Sequence, residues 1–288
     1  MLSWFLLACA PSDEMDLLET RTLVTEGEVP LWVRIVEPDP PANNTWVMVH
    51  GGPGLTHDHL LPLEALVDEG DRVVFYDQRG SGGSGEASAW RFGAHVRDLD
   101  DVIDASGANQ VKLVGSSWGG LLSQIYAERR PERVEELVLI GSAPATYTAL
   151  QAGALRFAER VQELQASGAI EGPIPSGIVD YLNAVLPAYF AEGRAIPDEA
   201  RVPIHGETHG AISMANLFAG YDYTAEVATV SAPTRILVGD ADPFGIDMSE
   251  AVRNDLASGD PLDIIAGCGH WPWFYCLDET LEAMTASR

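Results

Sequence analysis

Only one lysine, Lys112, occurs in this chain of 288 residues, and its 17 basic residues face 43 aspartates and glutamates, for a net charge of −26. So negative a surface repels a phosphate backbone unless one face gathers the positive charge. No basic cluster is present, so nucleic acid is excluded as a partner. Long apolar runs are also missing: no stretch of about 18 such residues offers a membrane-spanning helix. Cysteine is scarce, with Cys9, Cys268 and Cys276 the only three. That number is too small for a disulfide-dense scaffold. Cys268 and Cys276 bracket His270, but no fourth ligand suggests a metal centre, and no cofactor is expected. The latter two cysteines are either a disulfide in an oxidising compartment or buried free thiols. What the chain does have is 46% apolar residues and a length that suits one large domain, or one with an insertion.

The amino end, "MLSWFLLACAPSDE", changes abruptly from apolar to polar after Cys9. "LLAC" resembles the cleavage box of bacterial lipoproteins, although no Lys or Arg precedes it. The expectation is a signal over residues 1–9, export, and anchoring in the bacterial cell envelope through lipidated Cys9. The alternative is a cytoplasmic protein with an apolar amino end.

Beyond it, short apolar runs alternate with helical periodicity. "TLVTEG" and "PLWVRIVEP" read as a hairpin, and "TWVMV", "RVVFYD", "VKLVG", "VEELVLIG", "TRILVGD" and "LDIIAG" as further strands. Several are unbroken Val/Ile/Leu runs, as expected where both faces of a sheet are covered. "HDHLLPLEALVDEG", "GAHVRDLDDVIDASG" and "WGGLLSQIYAERRP" place apolar residues at helical spacing and end in Gly or Pro. The succession predicts an α/β fold: a mostly parallel central sheet after an antiparallel start, with helices on both faces. Residues 146–229 break the rhythm with helical stretches such as "ALRFAERVQELQASG", and predict a helical cap. It divides the core into residues 20–145 and 230–288.

Between the strand "VKLVG" and the helix that follows lies Gly115-Ser116-Ser117-Trp118-Gly119. A G-x-S-x-G sequence at a strand-to-helix bend needs small residues on both sides of an exposed, strained nucleophile, which makes Ser117 the candidate. A serine hydroxyl requires a base and an acid to orient it, in the order Ser, acid, His. "ILVGDADPFG" and "LDIIAGCGHWPW" supply Asp242 and His270 just past strand ends, where open α/β sheets place their chemistry. Asp242, in the loop proper, is preferred to Asp240. His270 is preferred to His57, His59, His205 and His209. "VMVHGGPG" sets His50 and three glycines after a strand, the position that supplies one oxyanion N–H. Gly52 and Trp118 are the expected donors, and His50 is read as holding the loop. In "FYDQRGSGGSG" the glycines lack a G-K-[ST] ending, so a phosphate loop is not indicated. Asp77 and Arg79 are expected to pair within that loop.

Together, "HGGPG" at 50–54, "YDQRGSGGS" at 76–84, "GSSWGG" at 115–120, "GDADP" at 239–243 and "GCGH" at 267–270 resemble the prolyl aminopeptidase (proline iminopeptidase) group of the α/β-hydrolases. The resemblance implies the α/β-hydrolase fold and a cofactor-free serine hydrolase. Ser117 would be its nucleophile, His270 its base and Asp242 its acid, with Gly52 and Trp118 as oxyanion donors. It implies release of amino-terminal residues, proline preferred, from small peptides. Acidic groups from the cap would then bind the free amine, and Glu207 and Glu226 are the candidates. "SMANLFAGYDY" departs from the family here, with Asn216 and Leu217 where an acid is expected. A carboxylesterase, or a lactonase or amidase acting on small neutral acyl substrates, is the alternative. A non-catalytic binding protein on the same scaffold has no use for an ordered triad, and epoxide hydrolases or dehalogenases would carry aspartate at the bend.

Overall fold

The computed structural model describes residues 20–38, 42, 44–217, 220–256 and 261–286. The expected lipoprotein segment, residues 1–9, lies outside the described residues.

Among the described residues, eight strands form one sheet: β1 (Arg21–Val24), β2 (Trp32–Val36), β3 (Thr45–Val49), β4 (Arg72–Tyr76), β5 (Val111–Ser116), β6 (Val134–Ile140), β7 (Thr234–Gly239) and β8 (Asp263–Ile265). Their order is β1-β2-β4-β3-β5-β6-β7-β8. The β1–β2 hairpin and the β2–β4 pair are antiparallel, and every later pairing is parallel. Strand β3 has β4 on one side and β5 on the other, so chain order reverses there and opens a crevice at the carboxyl ends of the strands.

Unbroken apolar runs place side chains on both faces by simple alternation. Val47 and Val49 of β3, with Val74 and Tyr76 of β4, pack with residues of α1 (Phe92–Ser106), α2 (Trp118–Arg129) and a later helix, Ile246–Leu256. Trp46, Met48, Val73 and Phe75 point the other way, onto a 3-10 segment (His57–Val67) and the last helix, Leu277–Thr285. That 3-10 segment is the predicted helix "HDHLLPLEALV", and it contains Pro62, whose missing N–H and ring disfavour regular α geometry.

Between β6 and β7 the chain leaves the sheet for α3 (Tyr147–Ser167), α4 (Ile178–Val185), α5 (Gly206–Ile212) and α6 (Thr224–Val227). Thr146 caps α3 by accepting from Ala149 N. Part of this insert has its own small core, in which Phe157, Val161 and Leu164 of α3 meet Val185 and Ala188. The Ile246–Leu256 and Leu277–Thr285 helices are α7 and α8. No helix among the described residues is long and apolar enough to cross a membrane.

Candidate active site

Ser117 stands between β5 and α2 with φ 54° and ψ −120°, the only non-glycine residue at positive φ among those described. That backbone costs energy for an L-residue and persists because its surroundings fix it. Ser117 N donates to Ile140 O at 3.1 Å, while Ser117 O accepts from Gly120 N and Ala143 N, each at 2.9 Å. The flanking glycine is explained by contact: a Cβ on Gly119 would collide with the carbonyl oxygens of Val49 and His50, so the first turn of α2 lies against the end of β3.

His270, after β8, is held from two sides. Its N–H donates to Tyr189 O at 2.8 Å, and its Nδ1 lies 2.7 Å from Asp242 Oδ2. Asp242 Oδ1 accepts from Phe244 N at 2.9 Å, so both carboxylate oxygens are engaged. With the proton on Nδ1 directed at Asp242, Nε2 is the free base of the ring. It makes no hydrogen bond to another described residue, and His270 lines the same cavity as Ser117 and Gly52. The rings of Phe244 and Tyr189 flank the imidazole at 4.8 and 5.5 Å. Asp240, the runner-up, is exposed and instead accepts from Gly267 N at 2.8 Å.

The remaining walls of the cavity are almost wholly apolar, with Leu182, Leu186, Val202, Ile204 and Trp271 among them. Among the described residues, Asn183 adds a polar side chain to those of Ser117, His270, Tyr189 and the indole of Trp271, and no carboxylate lines it. Glu207 and Glu226, expected as amine ligands, are not brought into it. Helix α5 buries Thr208 and Ile212 and turns Glu207 out to a neighbouring cleft beside Gly80 and Glu86. Helix α6 buries Val227 and leaves Glu226 exposed. Asn216 is fully used elsewhere, donating to Trp90 O at 2.6 Å and accepting from Phe92 N at 3.1 Å.

His50 holds its loop, as expected. Its Nε2 accepts from Gln78 N at 2.9 Å, its Nδ1 donates to Gly51 O at 3.0 Å, and burial pushes its pKa down to about 4. Asp77 and Arg79 do not pair with each other. Asp77 accepts from His57 Nδ1 at 2.8 Å and from Gly83 N at 2.9 Å. Arg79 reaches the other way and holds Asp98 through two bonds of 2.7 Å. Both residues lie past the end of β4, where strand geometry no longer sets their direction: the Arg79 guanidinium is buried against the equally buried Asp98, while the Asp77 carboxylate is taken up by His57 and Gly83.

Two residues escaped the sequence reading. Gly141, with φ 53°, follows β6, and a Cβ there would lie 2.9 Å from His270 Nδ1 and 3.0 Å from Asp242 Oδ2. Its signal was only its place just past a strand end. Gln78 follows β4 and bonds to both His50 and Trp118. Cys268 and Cys276, left open between bridge and free thiols, form a disulfide across the segment that carries His270.

The family described as alpha/beta hydrolase fold matches residues 45–170. The proline iminopeptidase of Lactobacillus delbrueckii subsp. bulgaricus is 27% identical over 250 residues, covering 79% of this chain and 83% of that one. This chain has the α/β-hydrolase fold and is similar to the proline iminopeptidases. Among solved structures, proline iminopeptidase from Mycobacterium smegmatis superposes on the hydrolase with TM-score 0.68 at 22% identity, over 92% of this chain and 96% of that one. An esterase from Exiguobacterium antarcticum superposes with TM-score 0.69 at 18% identity, over 92% and 97%. At those identities the structural likeness establishes the fold of the hydrolase, which two different activities share.

Proposed function

We propose that the hydrolase cleaves a small ester or amide through an acyl-enzyme on Ser117. The observation that carries this reading is the placement of Ser117, on a strained bend, in one cavity with the free Nε2 of His270, whose Nδ1 is bonded to Asp242. Nε2 takes the hydroxyl proton as the oxygen attacks the carbonyl carbon. Asp242 keeps the imidazole in its tautomer and stabilises the imidazolium. The N–H groups of Gly52 and Trp118 face the oxyanion, the second from the first turn of α2, where helical N–H groups lack intrahelical partners. Each such donor lowers the barrier by about 3 kcal/mol. His270 returns the proton to the leaving group, then activates the water that releases the acid.

The walls of the cavity favour a neutral, apolar acyl group. An ammonium in such a space needs a carboxylate partner, and among the described residues none lines it. The second reading, release of an amino-terminal proline, is supported by the proline iminopeptidase relatives. Paired kcat/KM values on a prolyl arylamide with a free amine and on a short-chain aryl ester separate the two, with Ser117→Ala as control. Preference for the ester supports a neutral acyl substrate. Strong preference for the prolyl substrate assigns the hydrolase to the aminopeptidases instead.

A further inference from the structure

One buried side chain joins the two backbone segments that carry the expected oxyanion donors. Gln78 lies two residues past β4, and β3 separates β4 from β5 in the sheet. Its side chain therefore crosses the end of β3 to reach the residue after Ser117. The partners fix the orientation of its amide. Trp118 Nε1–H only donates, so Gln78 Oε1 is the group facing it at 3.0 Å. The amide nitrogen then donates to His50 O at 2.6 Å. Gln78 N–H donates to His50 Nε2 at 2.9 Å, which leaves the ring proton on Nδ1, bonded to Gly51 O. The 3.2 Å approach of Gln78 Nε2 to His50 Nδ1 is accordingly a contact of two donors, without a bond.

We propose that Gln78 is a positioning residue that sets the separation of the Gly52 and Trp118 N–H groups. It rests on the reading of Ser117 as nucleophile. Gln78 does not line the cavity, so it acts only through the residues it holds. His50, Gln78 and Trp118 are 0%, 1% and 2% exposed, and water does not compete for these bonds. On one side the link ends at His50 and Gly51, directly before Gly52. On the other it ends on the indole of Trp118, which is stacked on Phe92 at 4.8 Å. Oxyanion donors act on a charge that develops only in the transition state, so a small displacement shows in kcat rather than in substrate affinity.

The test is Gln78→Met, which keeps length and loses both side-chain bonds, with Trp118→Phe, which keeps an aromatic ring and loses the indole N–H. Concentrations are set by active-site titration, so that misfolded protein does not count. In each variant kcat falls, by about 10- to 100-fold for Gln78→Met, while KM stays within about threefold. Affinity for a boronic acid, which forms a tetrahedral adduct on serine, falls in parallel with kcat/KM. The double variant loses no more than the worse single one, because both changes cut the same link. Wild-type kcat and boronate affinity in Gln78→Met, with Ser117→Ala inactive, overturn the positioning role and leave serine catalysis standing. Full turnover by Ser117→Ala overturns both. Where Gln78→Met does not fold, Trp118→Phe decides: a kcat loss with unchanged KM supports the role, and wild-type kcat refutes it.

Discussion

Asp242 Oδ2 lies 2.7 Å from His270 Nδ1, with both side chains 1% exposed. A carboxylate so shielded has one orienting task, keeping the proton on Nδ1 and the lone pair on Nε2. Asp242→Asn retains the shape and loses the charge and tautomer control, and kcat is expected to fall by about 10⁴-fold. Asp240→Asn, altering an exposed turn, leaves kcat near wild type. Equal losses in the two variants would contradict the assignment of the acid.

Gly141 borders this pair, and Gly141→Ala tests how tightly it is packed. The new Cβ would meet His270 and Asp242 at 2.9–3.0 Å, at a backbone φ of 53°. The backbone alone costs about 1–2 kcal/mol. Displacement of the imidazole is expected to lower kcat by about 10- to 100-fold. Thermal unfolding and kcat of one preparation give both values; wild-type kcat would show that the pair tolerates the methyl.

Arg79 and Asp98 are 0% and 2% exposed and joined by two hydrogen bonds. Arg79→Met leaves a buried carboxylate without its cation and is expected to destabilise the fold by about 3–5 kcal/mol. Adding Asp98→Leu removes that uncompensated charge and recovers part of the loss. Urea unfolding of the three proteins checks the order, and a double variant weaker than Arg79→Met would contradict it.

The strands were legible because apolar runs such as "TWVMV" and "TRILVGD" are written as unbroken sequence, and the meeting of Asp242 with His270 was legible because each stands just past a strand end. Strand order was not, since β3 between β4 and β5 depends on pairings far apart in the chain. Short α5 and α6 carry too few turns to show a period. The outward placement of Glu207 and Glu226 follows from which face of each helix finds a partner. A lone sequence does not state that. Gln78 was hidden for a related reason: its partners, His50 and Trp118, come from two other segments.

Stability should fall as the medium is made mildly acid. Burial pushes His50 down to about 4, and His59 and His95 to about 3, from an ordinary 6.5. Folded, these rings stay neutral; unfolded, they take up protons as pH drops through about 6.5, so stability is complete above that value and declines below it. Between about pH 7.5 and 5.5 the three together cost about 4 kcal/mol. Burial lowers His209 as well and adds in the same direction. Urea midpoints at the two pH values check this, and an unchanged midpoint would contradict neutral burial of the three rings.

The covalent step is tested most directly by intact-protein mass spectrometry after exposure to an aryl carbamate, which transfers its carbamoyl group to a serine nucleophile. The wild type should gain one adduct, mapped by peptide digestion to Ser117, and lose ester turnover in proportion, while Ser117→Ala should gain none and turn nothing over. An adduct on Ser117→Ala with turnover intact, or a wild type that turns over ester and never acquires the adduct, would contradict nucleophilic catalysis by Ser117.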